Sequence, residues 1–381
     1  MKRLFDCRWF GWLSVVIVVG YFIVGLWPFD FQPPNRVNWL AGRPGLHFEK
    51  RGIAYDPELL PASGSSRATN EFANFTVEIW AEADREPDDD VYDLVTIHND
   101  RLPCDFILCQ WQRALILRAT GLHRPRPHRF NEADLAEALP AGKSGFFTIR
   151  GDSAGTDFYS EGLPADQFPR LVLKPEALDG QLILGNDSAG KHPWSGSLFG
   201  LAIYNRALTA AKIAEHHALW TKGHARQLTN DISLAALYLL DEGGGGRAED
   251  SSANYHQIII PEFFRPVHKE FLIAPWKDES YNAPDYSDIA TNILGFIPLG
   301  FCFFLHRRRV KPNHILVNFL SVLMVGALVS LTIEIIQAWL PNRTSSTTDL
   351  LTNTAGALLG AVLALAMQPK SVMPKFEAKT R

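Results

Sequence analysis

Cysteine is scarce in this chain, with four among 381 residues. Only Cys104 and Cys109 fall in the segment that the charge pattern places on the oxidising side. Five residues apart in an apparent strand, they would stand about 16 Å apart on opposite faces, beyond disulfide reach unless a tight turn separates them. Neither a disulfide scaffold nor a zinc site is supported. Charge is missing from long stretches. Gly11–Trp27, Ile289–Leu305 and Leu350–Met367 carry none, and Ile315–Leu340 carries only Glu334. At 1.5 Å per residue the shorter runs reach about 26 Å, enough to span a bilayer at the short end. The third run is longer and must tilt or protrude. Also missing is a small-x-small cleavage site after the first run, which exits through Trp27-Pro28-Phe29-Asp30. Cys7 precedes that run without lipobox neighbours. An uncleaved signal anchor is therefore expected rather than a removed signal peptide.

The charges that are present set an orientation. Lys2, Arg3 and Arg8 precede the first run, Arg307, Arg308, Arg309 and Lys311 separate the second from the third, and Lys370, Lys375, Lys379 and Arg381 follow the fourth. With four spans, all three clusters fall on one side, the positive-inside pattern. Both termini are expected in the cytoplasm, with residues 30–287 exported. That exported segment carries 25 Lys/Arg against 36 Asp/Glu, a net of −11. An acidic surface of this kind is a poor phosphate binder, which argues against nucleic acid as a partner.

Within the exported part, short alternating runs are separated by Gly, Pro, Asn and Asp clusters, the punctuation of an all-β domain. The clearest run, Phe75–Ala81, puts Phe75, Val77 and Ile79 on one face and Thr76, Glu78 and Trp80 on the other. Strands are also expected at Arg113–Ala119, Gly145–Arg150, Gln181–Gly185 and Ser197–Tyr204, closing into a sandwich or jelly roll that hides its edges. The core should include Phe75, Val77, Ile79, Leu198, Leu201 and Ile203. The segment 124–129 reads as an exposed loop.

Near the C-terminus, polar residues are written into the apolar runs: D-I-A-T-N-I-L-G-F-I-P-L-G-F from Asp288, E-I-I-Q-A-W-L-P-N-R from Glu334, and D-L-L-T-N-T-A-G-A-L-L-G from Asp349. Acids and amides are costly in hydrocarbon, so their recurrence points to a constructed polar site. These residues, with the first apolar run and its W-P-F-D-F exit, resemble the VanZ-like family, named for a teicoplanin-resistance protein. The resemblance implies an envelope role or tolerance to glycopeptide antibiotics, and no reaction mechanism. F-T-V-E-I-W and Trp194–Ile213 resemble strands of the laminin-G-like, concanavalin A-like jelly roll. Leu237–Asn254 resembles the motif that usually opens such domains, yet here it comes late, which implies a permuted domain or a vestigial second copy.

The expected fold is thus four membrane helices plus an all-β jelly-roll sandwich inserted between the first and second. The expected divisions are 1–29 for the N-terminus and first helix, 42–276 for the jelly roll, 286–368 for the three-helix VanZ-like region, and 369–381 for the tail. Asp288, Asn292, Glu334, Gln337, Arg343, Asp349 and Asn353 can converge near the outer boundary, with Arg343 as the natural counter-charge to Glu334. The alternative is that they are packing glue between helices. Gly356 and Gly360 read as a helix-packing pair, and Pro298 predicts a kink. Trp80, Trp111 and Trp194 are candidate glycan contacts. Asp187 is a candidate Ca²⁺ ligand or a plain turn residue, and no other cofactor is implied. Glu78 and Glu82 would be about 13 Å apart on one strand, too far for a glycosidase pair, and Glu82 and Asp84 sit where the strand runs into an acidic loop. The leading reading is a glycan- or glycoconjugate-binding envelope protein in contact with membrane lipids. The alternatives are an enzyme using Glu334 or Asp349 as acid/base, and a structural partner-binding protein.

Overall fold

The structure is a computed structural model that describes residues 7–60, 73–86, 90–99, 106–119, 131–274 and 286–367. Cys104, the 124–129 loop, Lys2, Arg3, Lys370, Lys375, Lys379 and Arg381 lie outside the described residues. The chain folds as two compact units, one formed by the stretch up to Phe31 together with Glu270 onward, the other by Gln32–Lys269.

The first unit opens with α1 (Cys7–Leu26). The second is a β-sandwich of two antiparallel sheets, each with eight strands among the described residues. One sheet runs β1 (Val37–Trp39), β2 (Leu46–Phe48), β13 (Gly196–Tyr204), β4 (Phe75–Ala83), β9 (Ser144–Asp152), β10 (Gly155–Ser160) and β11 (Leu163–Phe168), with β14 (Leu234–Tyr238) also on β13. The other runs β15 (Arg247–Ala248), β16 (Ile258–Ile259), β3 (Ala54–Leu60), β12 (Gly180–Leu184), β5 (Val91–His98), β6 (Phe106–Trp111), β7 (Ala114–Ala119) and β8 (Asn131–Leu135). Phe75, Val77, Ile79, Leu198, Leu201 and Ile203 are all buried between the sheets, as the alternation predicts. Leu198 and Leu201 are three apart, which a regular strand would put on opposite faces. A bulge at Leu198/Gly200 restores both to the core and turns Phe199 outward.

Both ends of the domain meet along one strand. β2 pairs with Gly196–Leu198 of β13 and β14 with Leu201–Tyr204, so the two lie end to end on the same edge. Asp250 holds the late segment: Oδ1 accepts the Leu237 and Ser252 N–H groups at 2.8 Å each, and Oδ2 accepts the His256 N–H at 3.0 Å.

After β13, α2 (Ala210–Thr221) starts at Thr209, whose Oγ1 accepts the Lys212 N–H at 3.3 Å. Ile213, His216 and Trp220 face the sheet, so half of its outer face becomes a second core with Phe146, Tyr159 and Tyr204.

The first unit resumes with α3 (Tyr286–Val310), α4 (Ile315–Trp339) and α5 (Thr347–Ala366). With α1, these are four helices long and apolar enough to cross a membrane among the described residues. α3 and α5 meet through glycine. A Cβ on Gly356 would lie 2.2 Å from the Ile293 carbonyl oxygen, one on Gly360 2.1 Å from that of Ile297, and one on Gly300 1.8 Å from that of Ala357. Only bare backbone permits this approach. α3 continues through Pro298 as one helix.

Candidate functional site

The polar residues of the membrane unit divide into separate ties between elements. Asn292 Nδ2 on α3 donates to Asp349 Oδ1 on α5 at 2.9 Å. Asn353 Nδ2 on α5 donates to Ser330 Oγ on α4 at 3.0 Å, and Asn353 Oδ1 is buried with no partner among the described residues. Gln337 Nε2 on α4 donates to the Gly25 carbonyl of α1 at 2.8 Å. Glu334 is buried, and its Oε2 accepts the Ser346 N–H at 2.7 Å, with the Ser345 side chain also bonded to it. Ser346 is the N-cap of α5, its hydroxyl accepting the Thr348 and Asp349 N–H groups. Glu334 therefore sits at the positive end of a helix dipole, where a carboxylate is favoured.

Two expectations are corrected here. Arg343 is not the counter-charge of Glu334: its guanidinium donates to the Trp27 carbonyl at 2.8 Å, and no ion pair joins it to Glu334 among the described residues. A backbone N–H at a helix start meets the acid instead. Asp288 stands exposed in the first turn of α3, with no hydrogen bond to the others among the described residues.

A strap closes over this region. The Ile273 N–H donates to the Ser345 carbonyl at 2.9 Å and the Thr347 N–H to the Ile273 carbonyl at 3.0 Å. The Thr347 hydroxyl donates to the Leu272 carbonyl at 2.9 Å, and the Leu272 N–H to Ser345 Oγ at 3.3 Å. Leu272 and Ile273 thus run as a short parallel strand beside the loop that caps Glu334. Backbone pairing of this kind leaves no side-chain signature, which is why the sequence gives no sign of it.

On the sandwich, the outer face of the β4 sheet changes character row by row. In the first row, Glu78 is fully buried beneath α2. Its Oε1 is 2.8 Å from His216 Nδ1, and its Oε2 accepts from Trp220 Nε1 at 3.1 Å and Tyr204 Oη at 3.2 Å. The second row is Trp80–Gly200 with Phe146 alongside, and Trp80 packs on Phe199 at 5.6 Å between ring centres. In the third row, Glu82 pairs with Ser197 and Ser144, and Ser197 pairs with His47. His47 Nδ1 lies 3.1 Å from Ser197 Oγ and its Nε2 3.6 Å from Asp84 Oδ2, and Ser195 Oγ donates to Asp84 at 2.7 Å.

The acids Glu82, Asp84 and Glu86 alternate with single residues across the end of β4. β4 ends at Ala83, and Glu86 is drawn off to Arg113 Nε at 2.8 Å. The three carboxylates therefore do not line one strand face.

The remaining candidates divide plainly. Trp194 is not a glycan contact: it is buried against Phe48, and its Nε1 donates to Gln110 Oε1 at 2.9 Å. Trp111 is exposed at the end of β6, and Trp80 is half-buried. Cys109 is a free, buried thiol on β6. Asp187 Oδ1 accepts the Lys191 and His192 N–H groups at 2.5 and 3.2 Å, and its Oδ2 lies 3.6 Å from His192 Nδ1. This donor-rich setting is unlike the oxygen cage that Ca²⁺ takes. Burial opposes charge on both partners, yet their facing charges and hydrogen bonds prevail. Asp187 is held below the usual carboxylate range and His192 above the usual imidazole value.

Residues 235–368 match the VanZ/LLP1 family, a region that begins inside the sandwich at β14 and runs through α5. Residues 61–214 match the concanavalin A-like lectin/glucanases superfamily. Similar solved structures include a Bacteroides ovatus protein provisionally described as carbohydrate-binding. It is 15% identical with a TM-score of 0.40, and the match covers 59% of this chain and 61% of that one. The chain thus spans less than two thirds of that protein. Another is the CBM40 domain of a Ruminococcus gnavus IT-sialidase bound to α2,3-sialyllactose, 13% identical at TM-score 0.34, covering 45% of this chain and 96% of that one. A Limulus polyphemus SAP-like pentraxin is 12% identical at TM-score 0.33, covering 49% and 79%. Comparison with curated proteins gives no match. The chain is a membrane protein with a VanZ-like region and a concanavalin A-like β-sandwich set between the first and second of its four apolar helices.

Proposed function

We propose that this is a multi-pass protein of the bacterial cytoplasmic membrane, with both termini inside and residues 30–287 exported, whose sandwich holds an envelope glycan or glycoconjugate. The observation that carries the reading is the splice itself. A lectin/glucanase-superfamily sandwich is fused in one chain to apolar helices, several of whose polar groups tie one element to the next. Glu334 is committed to Ser346 and Asp349 to Asn292, which supports a tied scaffold over an acid/base centre. The membrane region then serves to fix the binding domain at the envelope.

Two measurements test this. Reporter fusions at Gly64 and at the C-terminus should report opposite sides of the membrane. The purified full-length protein, reconstituted in nanodiscs, should bind members of a glycan array. Reporters on the same side would remove the topology, and a blank array would remove the glycan.

A further inference from the structure

The three rows on the outer face of the β4 sheet differ in what covers them. The Glu78 row lies under α2, and both carboxylate oxygens of Glu78 have partners there. The Trp80 row lies at the edge of that cover, and the Glu82 row lies beyond it. Glu82 is a half-buried carboxylate in mid-sheet with no hydrogen-bond or ion-pair partner among the described residues, and the Trp80 indole N–H likewise has none. They are two apart on one strand, about 7 Å, with both side chains outward. Phe199, turned out by the bulge, backs the Trp80 ring, and Arg43 lies 4.6 Å over Phe199. Ser197 and His47 continue the polar row across the two neighbouring strands.

We infer that this half-face, with the Trp80 ring as platform and Glu82 and His47 as its polar edge, binds a neutral or N-acetylated sugar unit. The inference rests on the glycan-binding reading above and gives it a place and a ligand class. A half-exposed indole offers an apolar face to the C–H side of a pyranose and an N–H to one of its oxygens. An unpartnered carboxylate one step along accepts sugar hydroxyls in charge-assisted hydrogen bonds. Glu82 and Asp84 together repel a second anion, so uronic and sialic sugars are disfavoured. With Glu86 held by Arg113, and Asp84 by Ser195, the face lacks a free second carboxylate and is built to bind rather than to cleave.

The test uses full-length protein in nanodiscs, titrated calorimetrically with chitotetraose, cellotetraose and tetragalacturonate. At least one neutral tetrasaccharide should bind, tetragalacturonate at least tenfold more weakly. Glu82→Gln should weaken the neutral ligand about tenfold while leaving the melting temperature unchanged, because the carboxylate has no protein partner to lose. Trp80→Ala should abolish binding; if it fails to fold, Glu82→Gln decides alone. Array binding that Glu82→Gln leaves unchanged overturns this location while glycan binding stands. Preference for the anionic ligand, or binding to neither neutral one, overturns the ligand class. A blank array overturns both this inference and the reading beneath it.

Discussion

Glu334 and Ser346 are joined by a 2.7 Å hydrogen bond in which a carboxylate carried inside α4 accepts the backbone N–H that opens α5. Glu334→Gln retains an acceptor oxygen of the same shape, so it should cost little or even stabilise. Glu334→Ala leaves a part-buried N–H unmet and should cost about 1–3 kcal/mol. Arg343→Ala loses a different bond, to Trp27, so the two losses should add in the double mutant. Thermal melts in detergent check this; strong non-additivity would restore a shared Glu334–Arg343 site.

The α3–α5 contact predicts opposite signs for one kind of substitution. Alanine improves on glycine by about 1 kcal/mol in helix propensity, but a Cβ on Gly360 meets the Ile297 carbonyl at 2.1 Å, where only backbone could yield. Gly360→Ala and Gly356→Ala should each destabilise by about 1–3 kcal/mol. Gly295 on the same α3 has nothing within 4 Å, so Gly295→Ala should be neutral or stabilising. Melting temperatures of the three variants decide it.

Glu78 gathers His216, Trp220 and Tyr204 at 2.8, 3.1 and 3.2 Å, and all four are buried. Glu78→Ala strands those groups and should cost about 3–5 kcal/mol. Glu78→Gln should cost less, since an amide still offers one acceptor and one donor. The readout is urea unfolding followed by tryptophan fluorescence. A Glu78→Ala variant as stable as the parent would show that α2 is not held by this residue.

The Asp187–His192 tie gives a pH dependence. His192 is raised, so its contribution is complete below its unfolded value of about 6.5 and is lost as pH rises through the folded value. Asp187 is lowered, so its contribution is present above its unfolded value and is lost only as pH falls through the folded one. Between pH 6 and 9 the parent should therefore lose stability relative to His192→Gln, measured as the difference in melting temperature. A constant difference would mean His192 does not titrate in that range.

The features legible in the sequence are those written in local periods. Uncharged runs gave four helices, and alternation in Phe75–Ile79 gave the core face. What escaped depended on cover from afar. The same alternation put Glu78 on the outer face, but only α2, more than a hundred residues later, makes that position a core. Trp194 reads like any exposed aromatic until Gln110 meets its indole across the sandwich. Arg343 has the charge to seek Glu334, yet Trp27 offers its carbonyl, and a carbonyl carries no sequence code. Leu198 and Leu201 were legible as core although their spacing was wrong for a strand, because the bulge that corrects it is itself silent in the sequence.

The strap at Leu272–Ile273 gives the chain a mechanical order. The covalent path from the sandwich enters the helical unit at Glu270 and reaches Ser345 and Thr347 through four hydrogen bonds before it reaches α3 at Tyr286. A pull on that path loads those bonds first. That load falls on the short strand beside Ser345–Thr347, and with it on the loop that presents the Ser346 N–H to Glu334. The loop loaded in this way is the one that meets Glu334, the most deeply buried acid of the helical unit among the described residues.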